Sequence, residues 1–160
     1  LVHDIGKLVL CRYMSPHVLE LIAQAGAAEG DDSFEAEVKV LEVHHGDVGA
    51  LVAEHWRLPE SIVNAVRYHH TPSERPEPIC YAVALGNMLA EYLTGPGAEV
   101  LASPGQRVPV PAGLALEGRR ADRLDEALVA LEISDEACQE LVYATASRFE
   151  DVRGRYLIDD

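Results

Sequence analysis

Prolines at 59, 72 and 78 divide the middle of the chain into segments that must be short helices or loops. Leu58-Pro59 opens a segment that runs to His70 and is closed by Thr71-Pro72. Proline suits the first turn of a helix, and the residue before a proline is pushed out of the helical region. Ile62, Val66 and His69 recur at steps of four and three, and Val63 leads in the same way to His70, which is helical spacing. Both histidines therefore stand at an inward-facing helix end.

The same signals place other helices over about 2–14, ending at Ser15-Pro16, and over 16–28, before the turn-like Gly30-Asp31-Asp32. A long third helix is expected from Asp32 or Ser33 past Val52, capped at its start and acidic in its first turn at Glu35 and Glu37. Its stripe would carry Phe34, Val38, Leu41, His45, Val48 and Val52, with His55 at the frayed end and His44 turned about 100° away from His45. A fifth helix spans about 79–93, with Asn87 four residues after Val83 on an apolar face. Residues 95–113 hold four prolines and four glycines and read as an irregular loop, of which 101–113 is a candidate contact for a partner or ligand. Helices near 120–131 and 134–149 follow, the second capped by Ser134, with Leu128, Leu131, Ile133 and Leu141 as core candidates. There is no internal repeat, and Pro109 and Pro111 confine Val108 and Val110 to an edge at most. The expected class is all-α, a compact helical bundle in a single domain over 1–160.

Charge narrows the function classes. Thirteen Lys and Arg against 27 Asp and Glu give a net charge of -14, which disfavours nucleic acid and anionic lipid as partners. The apolar stretch 79–90 is too short to span a bilayer. Cys11, Cys80 and Cys138 stand far apart without a CxxC, so neither a disulfide framework nor a zinc knuckle is expected, and a reducing, cytoplasmic setting is. No secretory leader is expected, and a chain that begins at Leu1 reads as part of a longer protein.

The chemistry-bearing residues are the histidines. Of seven, His3, His45, His69 and His70 fall at inward positions and are joined by Asp4; His17 and His55 are weaker candidates. Imidazole with carboxylate suits iron, manganese, zinc or nickel, and helical metal sites are built from side chains of several helices facing one core. A hydrogen-bonded core without metal uses the same residues.

The runs HDIGK at 3–7, HGDVGALVAEHWRLPESIVNAVRYHH at 45–70 and ALGNMLA at 84–90 resemble the HD superfamily, and specifically its HDOD branch of bacterial signalling output domains. The resemblance covers about 1–93 and implies an α-helical bundle. In catalytic members, including the related HD-GYP cyclic-dinucleotide phosphodiesterases, metal is held by an upstream histidine, the HD pair, later histidines and a final aspartate. The resemblance therefore implies metal ligation by His3, Asp4, His45, His69 and His70, and a phosphate contact by Lys7. Three departures stand out: Asn87 replaces the final aspartate, the upstream histidine lies outside these 160 residues, and TPSERPEP follows His70 instead of a GYP-like motif. A dinuclear site needs several carboxylates to offset about four positive charges, and the inward set offers Asp4 alone. The sequence therefore favours a non-enzymatic signalling module acting on signalling proteins or other domains of its own chain. A metal-dependent phosphohydrolase or phosphodiesterase with a reduced site is the alternative, and a purely structural bundle is the third class.

Overall fold

The computed structural model describes residues 2–29, 33–94 and 119–156. Every described element is helical: α1 (Ile5–Tyr13), α2 (Pro16–Glu29), α3 (Ser33–Leu41), α4 (His45–His55), α5 (Glu60–Tyr68), a 3-10 turn (Pro72–Glu74), α6 (Pro78–Thr94), α7 (Arg119–Ala130) and α8 (Asp135–Tyr156). The all-α expectation is met. The irregular loop 95–113 and the helix cap expected at Asp32 lie outside the described residues. Two compact units divide the chain, Leu1–Ala84 and Leu85–Asp160, with the boundary inside α6.

In the first unit α4 packs on both α1 and α5, while α2 packs on α3. The inner face of α4 is built from small residues, with Gly46, Gly49, Ala50 and Ala53 all buried. Val63 joins Ala50 and Ala53, and Leu58 covers them. Val63 and Val66 each contribute roughly 1.5–3 kcal/mol by burial, but what sets the helix separation is glycine. A Cβ on Gly49 would lie 2.9 Å from Val66 Cγ1 and 3.3 Å from the Gly6 nitrogen. Outside this core, Arg67 of α5 reaches Glu54 of α4 at 2.9 Å.

The third helix is not continuous. It ends at Leu41, and α4 begins afresh at His45. Glu42 takes a left-handed conformation, φ 60°, and its N–H bonds back to Val38 O at 2.9 Å. Helices usually advertise such an ending with glycine, so a glutamate there hides the break from a reading of the sequence. Restarting the helix also frees α3 from the register of α4: Val38 is 40% exposed, and Ala36 and Glu37 are buried in its place. Arg57 and Glu132 follow α4 and α7 in the same left-handed conformation.

The second unit buries Leu85, Met88, Leu89 and Leu93 of α6, Leu124, Ala127 and Leu128 of α7, and Cys138 and Val142 of α8. The Ser134 cap is present, its Oγ accepting from Ala137 N–H at 3.2 Å. Of the other core candidates, Leu131 and Ile133 are half-buried and Leu141 is 38% exposed, because Cys138 and Val142 take the inner face of α8. Among the described residues the cysteines are free, and no helix is long and apolar enough to cross a membrane.

Candidate metal centre

His3 and Asp4 form the turn that starts α1, with Asp4 at its N-cap. The Asp4 side chain does not cap the helix. Its Oδ2 lies 3.4 Å from His3 Nε2, and its Oδ1 lies 2.9 Å from the Lys7 ammonium, 3.3 Å from His45 Nε2 and 3.8 Å from His69 Nε2. Burial alone would raise the Asp4 pKa, but the His3 hydrogen bond and the adjacent Lys7 charge outweigh it and hold the carboxyl well below the usual range. Oδ1 is shielded from solvent, and despite the Lys7 ion pair it receives no hydrogen bond of acceptable angle.

His45 opens α4, and His69 and His70 close α5, so helix ends from opposite directions deliver three buried imidazoles to one point. His45 Nε2 lies 3.3 Å from His69 Nε2 and 3.0 Å from His70 Nε2. The outer nitrogens decide what these contacts are. His69 Nδ1 is 2.8 Å from Val66 O, which can only accept, so that nitrogen carries the proton. His45 Nδ1 is 2.7 Å from Glu37 Oε2, and that same oxygen accepts the His45 backbone N–H at 2.6 Å. The carboxylate therefore assigns the His45 proton to Nδ1. Both inner Nε2 atoms then present lone pairs, so neither His45 nor His69 can donate to the other across their 3.3 Å separation. Without metal the 3.0 Å contact is an N–H that His70 donates to His45, and ligation through this Nε2 requires His70 to shift its proton to Nδ1. Burial pushes His69 down to about 3, which keeps it neutral near pH 7.

Lone pairs facing one another beside a shielded carboxylate oxygen could hold a cation. Bonds of about 2.0–2.1 Å to a tetrahedral ion separate its ligands by about 3.3 Å, close to the spacings of His45 Nε2 from His69 Nε2, His70 Nε2 and Asp4 Oδ1. The inner nitrogens of His45, His69 and His70 also lie within 4.8 Å of one another, as do donors of His3, Asp4 and His69. The cluster could thus hold a divalent transition metal, with His45, His69 and His70 as one candidate donor set and His3, Asp4 and His69 as another.

Two residues of the centre escaped the sequence reading. The sequence puts Glu37 in the acidic first turn of a helix and not among the inward residues, yet it is 5% exposed. It stands three residues after Phe34 and four before Leu41, so helical spacing allowed it the inner face as readily as Val38. The inward set therefore holds two carboxylates, Asp4 and Glu37, and not Asp4 alone. His44 does not point into solvent; its Nδ1 accepts from Gly46 N–H at 3.1 Å, its Nε2 lies 3.1 Å from Asp47 Oδ2, and the two residues box the start of α4. Burial lowers its pKa. Phe34 walls the cluster, its ring centroid 4.5 Å from His44 and 5.0 Å from His70. His17 and His55 are exposed and belong to neither donor group. Asn87 belongs to the second unit, where its Nδ2 donates to Glu91 at 2.9 Å.

Residues 1–72 match the HDOD domain family. That stretch is an HDOD domain. The HDOD region runs from the HD pair to just past His70 and contains every donor of the cluster, along with Glu37. An uncharacterized protein of Treponema pallidum (strain Nichols) is 30% identical over 98 residues, a match covering 59% of this chain and 19% of that protein. The chain thus spans only a small part of that relative's length. No solved structure matches the chain.

Proposed function

We propose that the HDOD region is a non-enzymatic signal-output module in which the HD residues hold a single divalent metal ion, and that it acts by linked conformational change on signalling proteins or on other domains of its chain. The observation that carries this reading is the charge around Asp4. Asp4 and Glu37 together offset one divalent ion, whereas a dinuclear centre brings about four positive charges and Lys7 adds a fifth beside Oδ1. Asn87 brings no charge wherever it lies.

A bound ion would supply a Lewis acid and a more acidic water. The protein's own residues orient and enclose: His45 and His69 have fully buried side chains, Glu37 and Val66 O hold their outer protons, and Phe34 closes one side. That is what a structural ion needs, since it leaves the ligands fixed and little room for exchange. One observation favours the second reading, a metal-dependent phosphohydrolase or phosphodiesterase: the half-exposed Lys7 beside Asp4, where an ammonium could meet a substrate phosphate.

Elemental analysis of the purified protein, paired with hydrolysis assays on cyclic dinucleotides and nucleoside phosphates in manganese or iron, separates the two. One metal equivalent without turnover is expected. Turnover that disappears in Asp4→Ala would establish the hydrolase instead.

A further inference from the structure

The α2–α3 hairpin is thinly attached. No described side chain of α2 is buried, and α3 buries only Ala36 and Glu37. The contacts that carry α3 onto the histidines are the Phe34 ring on His44 and His70, and the Glu37 carboxylate on His45. Glu37 Oε2 takes both N–H groups of His45, on the side opposite the nitrogen that faces His69 and His70.

From this, and resting on the metal-binding reading above, we infer that Glu37 is the positioning residue of the centre and that through it metal occupancy controls the docking of the α2–α3 hairpin. The physical link runs through one ring. A metal on Nε2 withdraws electron density from the imidazole and makes Nδ1–H a stronger donor to Glu37. In return the carboxylate makes Nε2 a better ligand. Partners of ligating histidines of this kind are typically worth about 10–100-fold in metal affinity. Coupling between two equilibria is reciprocal, so the metal must favour hairpin docking by the same factor that Glu37 favours metal. A thinly packed hairpin is drawn from the low-stability end of the fold, where a factor of this size changes how often the segment opens.

The test is zinc titration by competition with a chromophoric chelator, together with amide hydrogen exchange over residues 16–41 with and without zinc, on the full chain and on Glu37→Gln. Glutamine keeps an oxygen that can accept from His45 and removes the charge. Expected are zinc binding about 10-fold or more weaker in Glu37→Gln, and zinc slowing exchange in the hairpin of the wild type by a similar factor, but not in the variant. The wild-type exchange comparison stands by itself should the variant fail to fold. Zinc binding with hairpin exchange unchanged, or equal affinities in the two proteins, would overturn the role of Glu37 and leave the metal reading intact. A wild type that takes up no zinc, manganese or iron would overturn both.

Discussion

Gly6 of α1 lies so close to the carbonyl of His45 that a Cβ on Gly6 would clash with that oxygen, and it would also meet the Gly49 nitrogen at 2.8 Å. The HD turn and the first histidine of α4 are brought together by the absence of a side chain. Gly6→Ala must push α1 away from α4 through backbone that cannot yield as a flexible side chain would. Overpacking of this kind costs about 1–3 kcal/mol or more. Thermal melts should show that loss, and zinc titration should show weaker binding, because Asp4 moves away with α1.

Removing metal should be visible as lost stability. A ligand that binds only the folded state stabilises it by about 2.7 kcal/mol at a hundred times its Kd. Zinc added to chelator-treated protein should raise the melting temperature, and excess chelator should reverse the rise. In His70→Ala the zinc-dependent part of the shift should shrink or vanish, while the metal-free melt is lowered by the loss of the N–H donated to His45.

The pH dependence of the metal-free protein follows from His69 and Asp4. Burial holds folded His69 near 3 against an unfolded value near 6.5. Between those values the unfolded chain takes up a proton that the folded chain refuses, so stability is full above about pH 6.5 and falls as pH drops toward 3. The slope from this group is roughly 1 kcal/mol per pH unit. Asp4, whose folded pKa is depressed, adds a second loss that begins below its unfolded value of about 3.9. Denaturant melts from pH 8 to 4 in chelator should show the first slope, and His69→Gln should flatten it.

In the second unit the Ser134 hydroxyl accepts one of the unpaired N–H groups at the start of α8. Ser134→Ala should cost about 1 kcal/mol, read as a lower denaturant midpoint with an unchanged slope.

Much of this was legible in the sequence. The helices bounded by prolines, α1 with α2 and α5, were placed within a few residues, because proline and spacing act locally. His69 and His70 follow from the same local spacing, whereas His45 was placed inward by a stripe carried through Leu41 and is buried instead as the first residue of a new helix. What spacing could not reveal was the break after Leu41, since a glutamate adopts the conformation that glycine usually marks. That single miss carried the others: a continuous helix puts Val38 inside and Glu37 outside, and it turns His44 away from the helix start it caps. Hence the second carboxylate became visible only once the helices were seen to be separate.

The pause at Glu42–His44 also shapes what the hairpin can tolerate. In one unbroken rod, each residue added before His45 would swing that imidazole by about 100° and empty the cluster of its central donor. Because His44 and Asp47 start α4 anew, segments upstream are free to drift in length and sequence while the aim of His45 stays constant. Only Glu37 and Phe34 must keep their reach. The fold thus separates a part that can vary from a part that cannot, and one short carboxylate and one aromatic ring join them.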